Sequence, residues 1–151
     1  MAKWQSEKVK YACAVGLAIL ALNDAEAEIL WLIEALSDKD RPELEVKFLS
    51  EKLDELEKLA EKYPDEAVRH SLCSLVSDAR QLNDDRHNFA HALLWVDPFD
   101  GTHQRRFVPR RTGVPNDDAR TPQQIKEVAI EMEQLGENAA GLAAQIRRTR
   151  M

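Results

Sequence analysis

Residues 65–96 read DEAVRHSLCSLVSDARQLNDDRHNFAHALLWV, and their spacing decides the fold class. Val68, Leu72, Leu75, Ala79, Leu82, Arg86, Phe89, Leu93 and Val96 fall alternately four and three residues apart. That period belongs to an α-helix with one apolar stripe, and it predicts a helix from about Asp65 to Trp95. Arg86 is the one charged residue in the stripe. A charge there costs stability unless it is paired or reaches a wet cavity, so its placement requires a reason.

The same period extends outward from this segment. From about Ser6 to Leu36 one apolar row holds Val9, Cys13, Gly16, Leu20, Ala27 and Leu30, ending at Glu34. A second row holds Ala12, Val15, Ile19, Leu22, Ile29 and Ile33, so a long helix with a wide buried face is expected. The polar run Ser37–Arg41 followed by Pro42 marks a turn and a restart. A second helix is expected to run from there to about Tyr63, with Leu49, Leu53, Leu56 and Ala60 inward, and to end at Pro64. Beyond the quoted stretch, Asp97, Pro98, Asp100 and Gly101 are turn formers, and Arg106, Phe107 and Val108 suit a short strand. Thr121, Pro122 and Gln124 supply an N-cap, a first-turn proline and a capping-box glutamine. They open a fourth helix that buries Ile125, Val128, Met132, Leu135, Ala139, Leu142 and Ile146. The expected architecture is all-α: one domain over residues 1–151, a four-helix bundle with a short β-hairpin or ordered loop between the third and fourth helices.

Composition agrees with this class. The chain has 151 residues, 44% of them hydrophobic and 32% charged, with only 5 glycines. It is long enough to bury a core without disulfides or a structural metal. The apolar run from Tyr11 to Leu22 is too short to span a bilayer and carries no secretory cleavage pattern, so a cytoplasmic protein with no membrane partner is expected. Cys13 and Cys73 lack the close spacing of a zinc site and read as buried free thiols. The net charge of −6 argues against indiscriminate nucleic-acid binding. Positive charge nevertheless gathers in the last third, at Arg105, Arg106, Arg110 and Arg111 and again at Arg147, Arg148 and Arg150.

The segment Asp85-Arg86-His87-Asn88-Phe89-Ala90-His91-Ala92-Leu93-Leu94-Trp95 resembles the signature of the HEPN superfamily: an arginine, a polar residue, a short spacer and a histidine. As a bare string Arg-x4-His is weak; with the arginine in an apolar seam near the end of a third helix it is considerably stronger. The resemblance implies a helical bundle and, in many active members, metal-independent RNA cleavage in a cleft where two protomers bring their Arg and His together. Some members are toxins held by an antitoxin protein, some are defence ribonucleases, and some bind only nucleotides or partners. The resemblance therefore implies an RNA substrate, a homodimer and no cofactor.

The residue types suit that chemistry. Attack by a 2′-hydroxyl on the adjacent phosphate needs a group that moves a proton near neutral pH and a fixed positive charge on the crowded phosphate. Histidine and arginine supply these. His91 is assigned to proton transfer or to orienting the 2′-hydroxyl, Arg86 to the phosphate, and His87 and Asn88 to shaping the cleft. Arg105, Arg106, Arg110 and Arg111, around Phe107, form a candidate positive lip for the RNA backbone. Five helical residues turn the chain by about 500°, which leaves Arg86 and His91 roughly 140° apart. They do not share a stripe, which favours a site built from two chains.

Other readings stand beside this one. Arg86 can be a structural arginine, ion-paired with Asp85 or with an acidic residue of another helix. Asp84, His87 and His91 can share a helix face at metal-ligand spacing, with His103 or His70 as a further ligand, although no metal is expected. Trp31, Phe89 and Trp95 lie on helical rows and suit core or interface.

Overall fold

The computed structural model describes the backbone of residues 3–91, 93–96, 103–107, 116–118 and 120–151, and the side chains of residues 5–90 and 120–151. Four helices carry the core: α1 (Lys3–Ser37), α2 (Leu49–Glu61), α3 (Glu66–His91) and α4 (Pro122–Thr149). The architecture is an all-α bundle.

Local chemistry sets the helix ends. Asp38 follows α1 in the left-handed region at φ 53, a conformation that Asp tolerates, and the Lys39 amide bonds back to the Glu34 carbonyl at 3.3 Å. Pro42 opens a single 3-10 turn, Pro42–Leu44, rather than the second helix. That helix begins at Leu49, where the Glu51 carboxylate accepts from the amide of Phe48, the N-cap residue, at 2.9 Å. Asp65 caps α3 by accepting from the Val68 amide at 2.9 Å. Thr121 and Gln124 form the expected reciprocal capping box of α4.

The bundle's directions follow from its cross-links. Arg80 on α3 reaches Asp54 and Glu57 of α2, and Arg69 reaches the Tyr63 carbonyl, so α2 and α3 run antiparallel. The α3–α4 groove pairs Asp78 and Leu82 with Glu131 and Leu135 at one level and His70 with Gln145 further along, again antiparallel. In contrast, α1 and α4 run parallel. Ala25 lies against Gly136, and the Ala35 and Leu36 carbonyls accept from the Arg150 guanidinium a few turns on.

The core is one apolar cluster contributed by all four helices. From α3 it takes Val68, Leu72, Leu75, Ala79, Leu82 and Phe89, as their spacing predicts. On α4 it takes Ile125, Met132, Leu135, Ala139 and Ile146, with Val128 and Leu142 only partly buried. The first helix departs from expectation. Its buried face is Tyr11, Ala14, Ala18, Leu22, Ala25, Ile29 and Leu32, while Val9, Cys13, Leu20 and Ala27 are exposed. Both cysteines are exposed free thiols, which corrects their reading as buried.

The third helix also ends earlier than its sequence period suggests, at His91 rather than Trp95. Leu93–Val96 instead forms β1, antiparallel to β2 (His103–Phe107), which pairs in turn with β3 (Asn116–Asp118). Leucine, tryptophan and valine at spacings of one suit a strand as well as a helix, and β2 supplies the partner that selects the strand. Val108 lies outside the described residues.

Candidate functional site

Arg86 sits where α1 and α3 cross. Its side chain keeps 23% of its surface, so it is neither core nor free surface. One Nη donates to Asn23 Oδ1 of α1 at 3.0 Å and lies 3.5 Å from Glu26 Oε2. The other donates to Asn83 Oδ1, one turn back on α3, at 2.8 Å. Glu26 in turn accepts from Lys52 Nζ of α2 at 2.7 Å. Lys52 is 5% exposed, the most deeply buried charged side chain among the described residues. Three helices are thus tied together by one carboxylate serving two cations. Breaking such a buried pair leaves an uncompensated charge, which is why the cluster holds its geometry.

Asp85, the neighbouring candidate for pairing with Arg86, is engaged elsewhere. It accepts from Arg120 Nη1 at 3.0 Å, and the Arg120 guanidinium lies 4.5 Å from the centre of the Phe89 ring. This contact fixes the start of α4 to the last turns of α3. The ion-paired reading of Arg86 is therefore met, with Glu26 as the acid.

The other expected site residues divide. His87 is exposed and Asn88 half-buried, both within the last two turns of α3. His91 is the last residue of that helix, and its side chain lies outside the described residues. Because α3 is continuous from Arg86 to His91, the roughly 140° separation around the axis stands. Arg105 and Arg106 occupy register positions in β2 opposite Asp118 and Asp117 of β3, and opposite Leu94 and Leu93 of β1. Arg110 and Arg111 lie outside the described residues. Among the described residues no group of three His, Cys, Asp or Glu side chains is arranged to hold a metal ion, and the side chains of His91 and His103 fall outside them. No helix of the described chain is long and apolar enough to cross a membrane.

Sequence reasoning missed Asn23, Glu26, Lys52, Asn83 and Arg120. One signal was available: Lys52 stands beside Leu49, Leu53 and Leu56 on the apolar stripe of α2, an anomaly of the same kind as Arg86. A cleft of about 850 Å3 opens at the α2–α3 turn, between Glu61, Asp65, Glu66, Arg69 and His70. It is far along α3 from Arg86, and its three carboxylates disfavour a phosphate backbone. Comparison with protein-family models, curated proteins and solved structures finds no match to this chain.

Proposed function

We propose that this protein is a metal-independent endoribonuclease of the HEPN class, working as a homodimer and serving as the toxin or effector of a toxin-antitoxin or defence system. One observation carries the reading. Arg86 and Lys52 share a single carboxylate, Glu26, so the cluster at the α1–α3 seam holds a surplus positive charge beside a partly open surface. A phosphate would supply the missing anion, and the planar guanidinium fork suits its oxygens.

In the proposed reaction the 2′-oxygen attacks the adjacent phosphorus, forming a new P–O bond as the P–O5′ bond breaks. His91 takes or orients the 2′-hydroxyl proton, and the departing 5′-oxygen takes up a proton from solvent or from the partner's His91. Arg86 stabilises the charge that gathers on the phosphate. His87 and Asn88 would line the cleft, and the short antiparallel strands between α3 and α4, with Arg105 and Arg106, would form its lip together with Arg110 and Arg111.

A second reading, a non-catalytic HEPN-like domain that binds a nucleotide or a protein partner, is favoured by a different observation. Both terminal nitrogens of Arg86 already have acceptors within the fold. The test is cleavage of labelled RNA by the purified full chain in excess chelator, with His91→Ala and Arg86→Lys alongside. Loss of cleavage in both variants, with helicity and oligomeric state unchanged, is the expected result. Cleavage that survives His91→Ala would remove the catalytic assignment, and no cleavage by the wild-type chain would leave the binding reading.

A further inference from the structure

The first helix is apolar on both sides, and only one side is covered. Its inner face packs into the bundle through Ala14, Ala18, Leu22, Ala25 and Ile29. On the opposite side Cys13, Leu17, Leu20, Asp24, Ala27 and Trp31 fall alternately four and three residues apart, and all are exposed. Leu20 keeps 63% of its surface, and Leu17 and Trp31 keep 51% each. Val46, Phe48 and Ile130, also exposed, lie on other elements, outside this seam. A seam of this period spanning about 27 Å is the pattern by which one helix receives another. Gly16 lies beside it, and a Cβ built there would meet nothing within 4 Å. The fold itself gives this helix-weakening residue no packing role.

We infer that this face is the homodimer interface, with α1 of one chain packed antiparallel against α1 of a second copy. The inference rests on the two-chain reading of the Arg86 site. The occupant follows from the charge layout. Lys10 stands on the edge of the seam at one end, and Asp24 and Glu28 stand at the other. An antiparallel copy matches basic end to acidic end twice, which makes the face self-complementary about a two-fold axis, as a closed dimer requires. With the axis near Ala18 and Ile19, Leu17 meets the partner's Leu20, Cys13 meets the partner's Asp24, and Lys10 lies alongside the partner's Glu28. Lys10 now pairs with Glu7 on its own helix at 3.0 Å, an exposed pair of little worth that is readily exchanged.

This arrangement bears on the site. Lys10 and Glu28 lie on one edge of the seam, and Asn23, which holds Arg86, lies on the other. A two-fold axis normal to the two helices keeps equivalent edges on the same side of the pair. Both α3 helices then stand on one side of the dimer, and both Arg86 residues face a shared groove. The two Asn23 positions are offset by about 13 Å along the helix direction.

Sedimentation equilibrium of the full chain tests the interface. The wild type is expected to dimerise, and Leu17→Glu with Leu20→Glu to give a monomer with unchanged helicity, since both positions are exposed. Lys10→Glu or Glu28→Lys alone should weaken the dimer roughly tenfold, and the two together should restore it. In a Cys73→Ser background, mild oxidation of Asp24→Cys should yield a covalent dimer. Cys13 alone should not, because the two copies of Cys13 lie about 16 Å apart, beyond disulfide reach. A monomeric wild type, a dimer indifferent to the two glutamates, or a covalent dimer through Cys13 alone would each overturn the inference. A dimer of this kind that does not cut RNA leaves the interface standing and removes the ribonuclease reading. Cleavage by the monomeric variant removes the two-chain site instead.

Discussion

Replacing Glu26 with Gln is the sharpest test of the charge cluster that joins α1, α2 and α3. Lys52 is 5% exposed and Glu26, its partner at 2.7 Å, keeps 19% of its side-chain surface. Glu26→Gln preserves the side chain's shape and an acceptor oxygen but leaves the Lys52 ammonium without a counter-charge. Removing one partner of a buried pair costs about 3–5 kcal/mol, and the residual exposure of Glu26 puts this case at the lower end, about 3 kcal/mol. Against a total of about 5–15 kcal/mol for a domain, that is a large fraction. With a urea dependence of about 2 kcal/mol per molar, the unfolding midpoint should fall by about 1.5 M, read by helical circular dichroism. Adding Lys52→Met should recover most of the loss, because the uncompensated ammonium is then gone. A midpoint lowered by less than about 0.3 M would refute the reasoning, since a cost that small belongs to a surface pair.

Two further outcomes follow from local geometry. At Gly136 a Cβ would come within 3.3 Å of the Ala25 backbone, whereas at Gly141 it would meet nothing within 4 Å. Gly136→Ala should therefore destabilise by about 1 kcal/mol, while Gly141→Ala should stabilise by about 0.5–1 kcal/mol, measured by thermal or urea unfolding. The Glu43 carboxyl is held below its ordinary 4.5, chiefly by its hydrogen bond from Arg41, which also reaches Glu55 of α2. A depressed carboxyl contributes fully above its unfolded value, and the contribution is lost as pH falls through the folded value. The stability gap between the wild type and Arg41→Ala should thus be constant near neutrality and narrow below about pH 4.5, and a gap that widens on acidification would contradict the assignment.

The helical framework was legible because its signals are local. The stripe on α3 as far as Phe89 and the Thr121–Gln124 box each act within a turn or two of chain, and each appears where the sequence puts it, whereas Pro42 opens a 3-10 turn and the second helix starts only at Leu49. Two features were not legible, for different reasons. On α1 apolar residues occupy two opposite faces, so periodicity identifies a helix but cannot choose between an inner face through Leu22 and Ile29 and an outer one through Cys13 and Leu20. At the end of α3, Leu93 to Val96 continues the helical spacing, yet a strand brought in from residues 103–107 captures it. The candidate site was half legible. Arg86 announced itself by interrupting a seam, but Asn23, Glu26 and Lys52 reach it from 63, 60 and 34 residues away in the chain, and no local pattern reports such a meeting.

The parallel packing of α1 against α4 has a consequence for how the chain comes into being. The most extensive helix contact among the described residues joins α1 to α4, with Ala25 against Gly136 and the end of α1 clasped by Arg150. Along the chain α2 and α3 lie between these two partners, so α1 is made well before the helix it packs against most. Until α4 follows, the inner apolar face of α1 has only α2 and α3 to cover it. Such a nascent chain is a natural client for a holding chaperone, and closure of the bundle is expected to wait for α4.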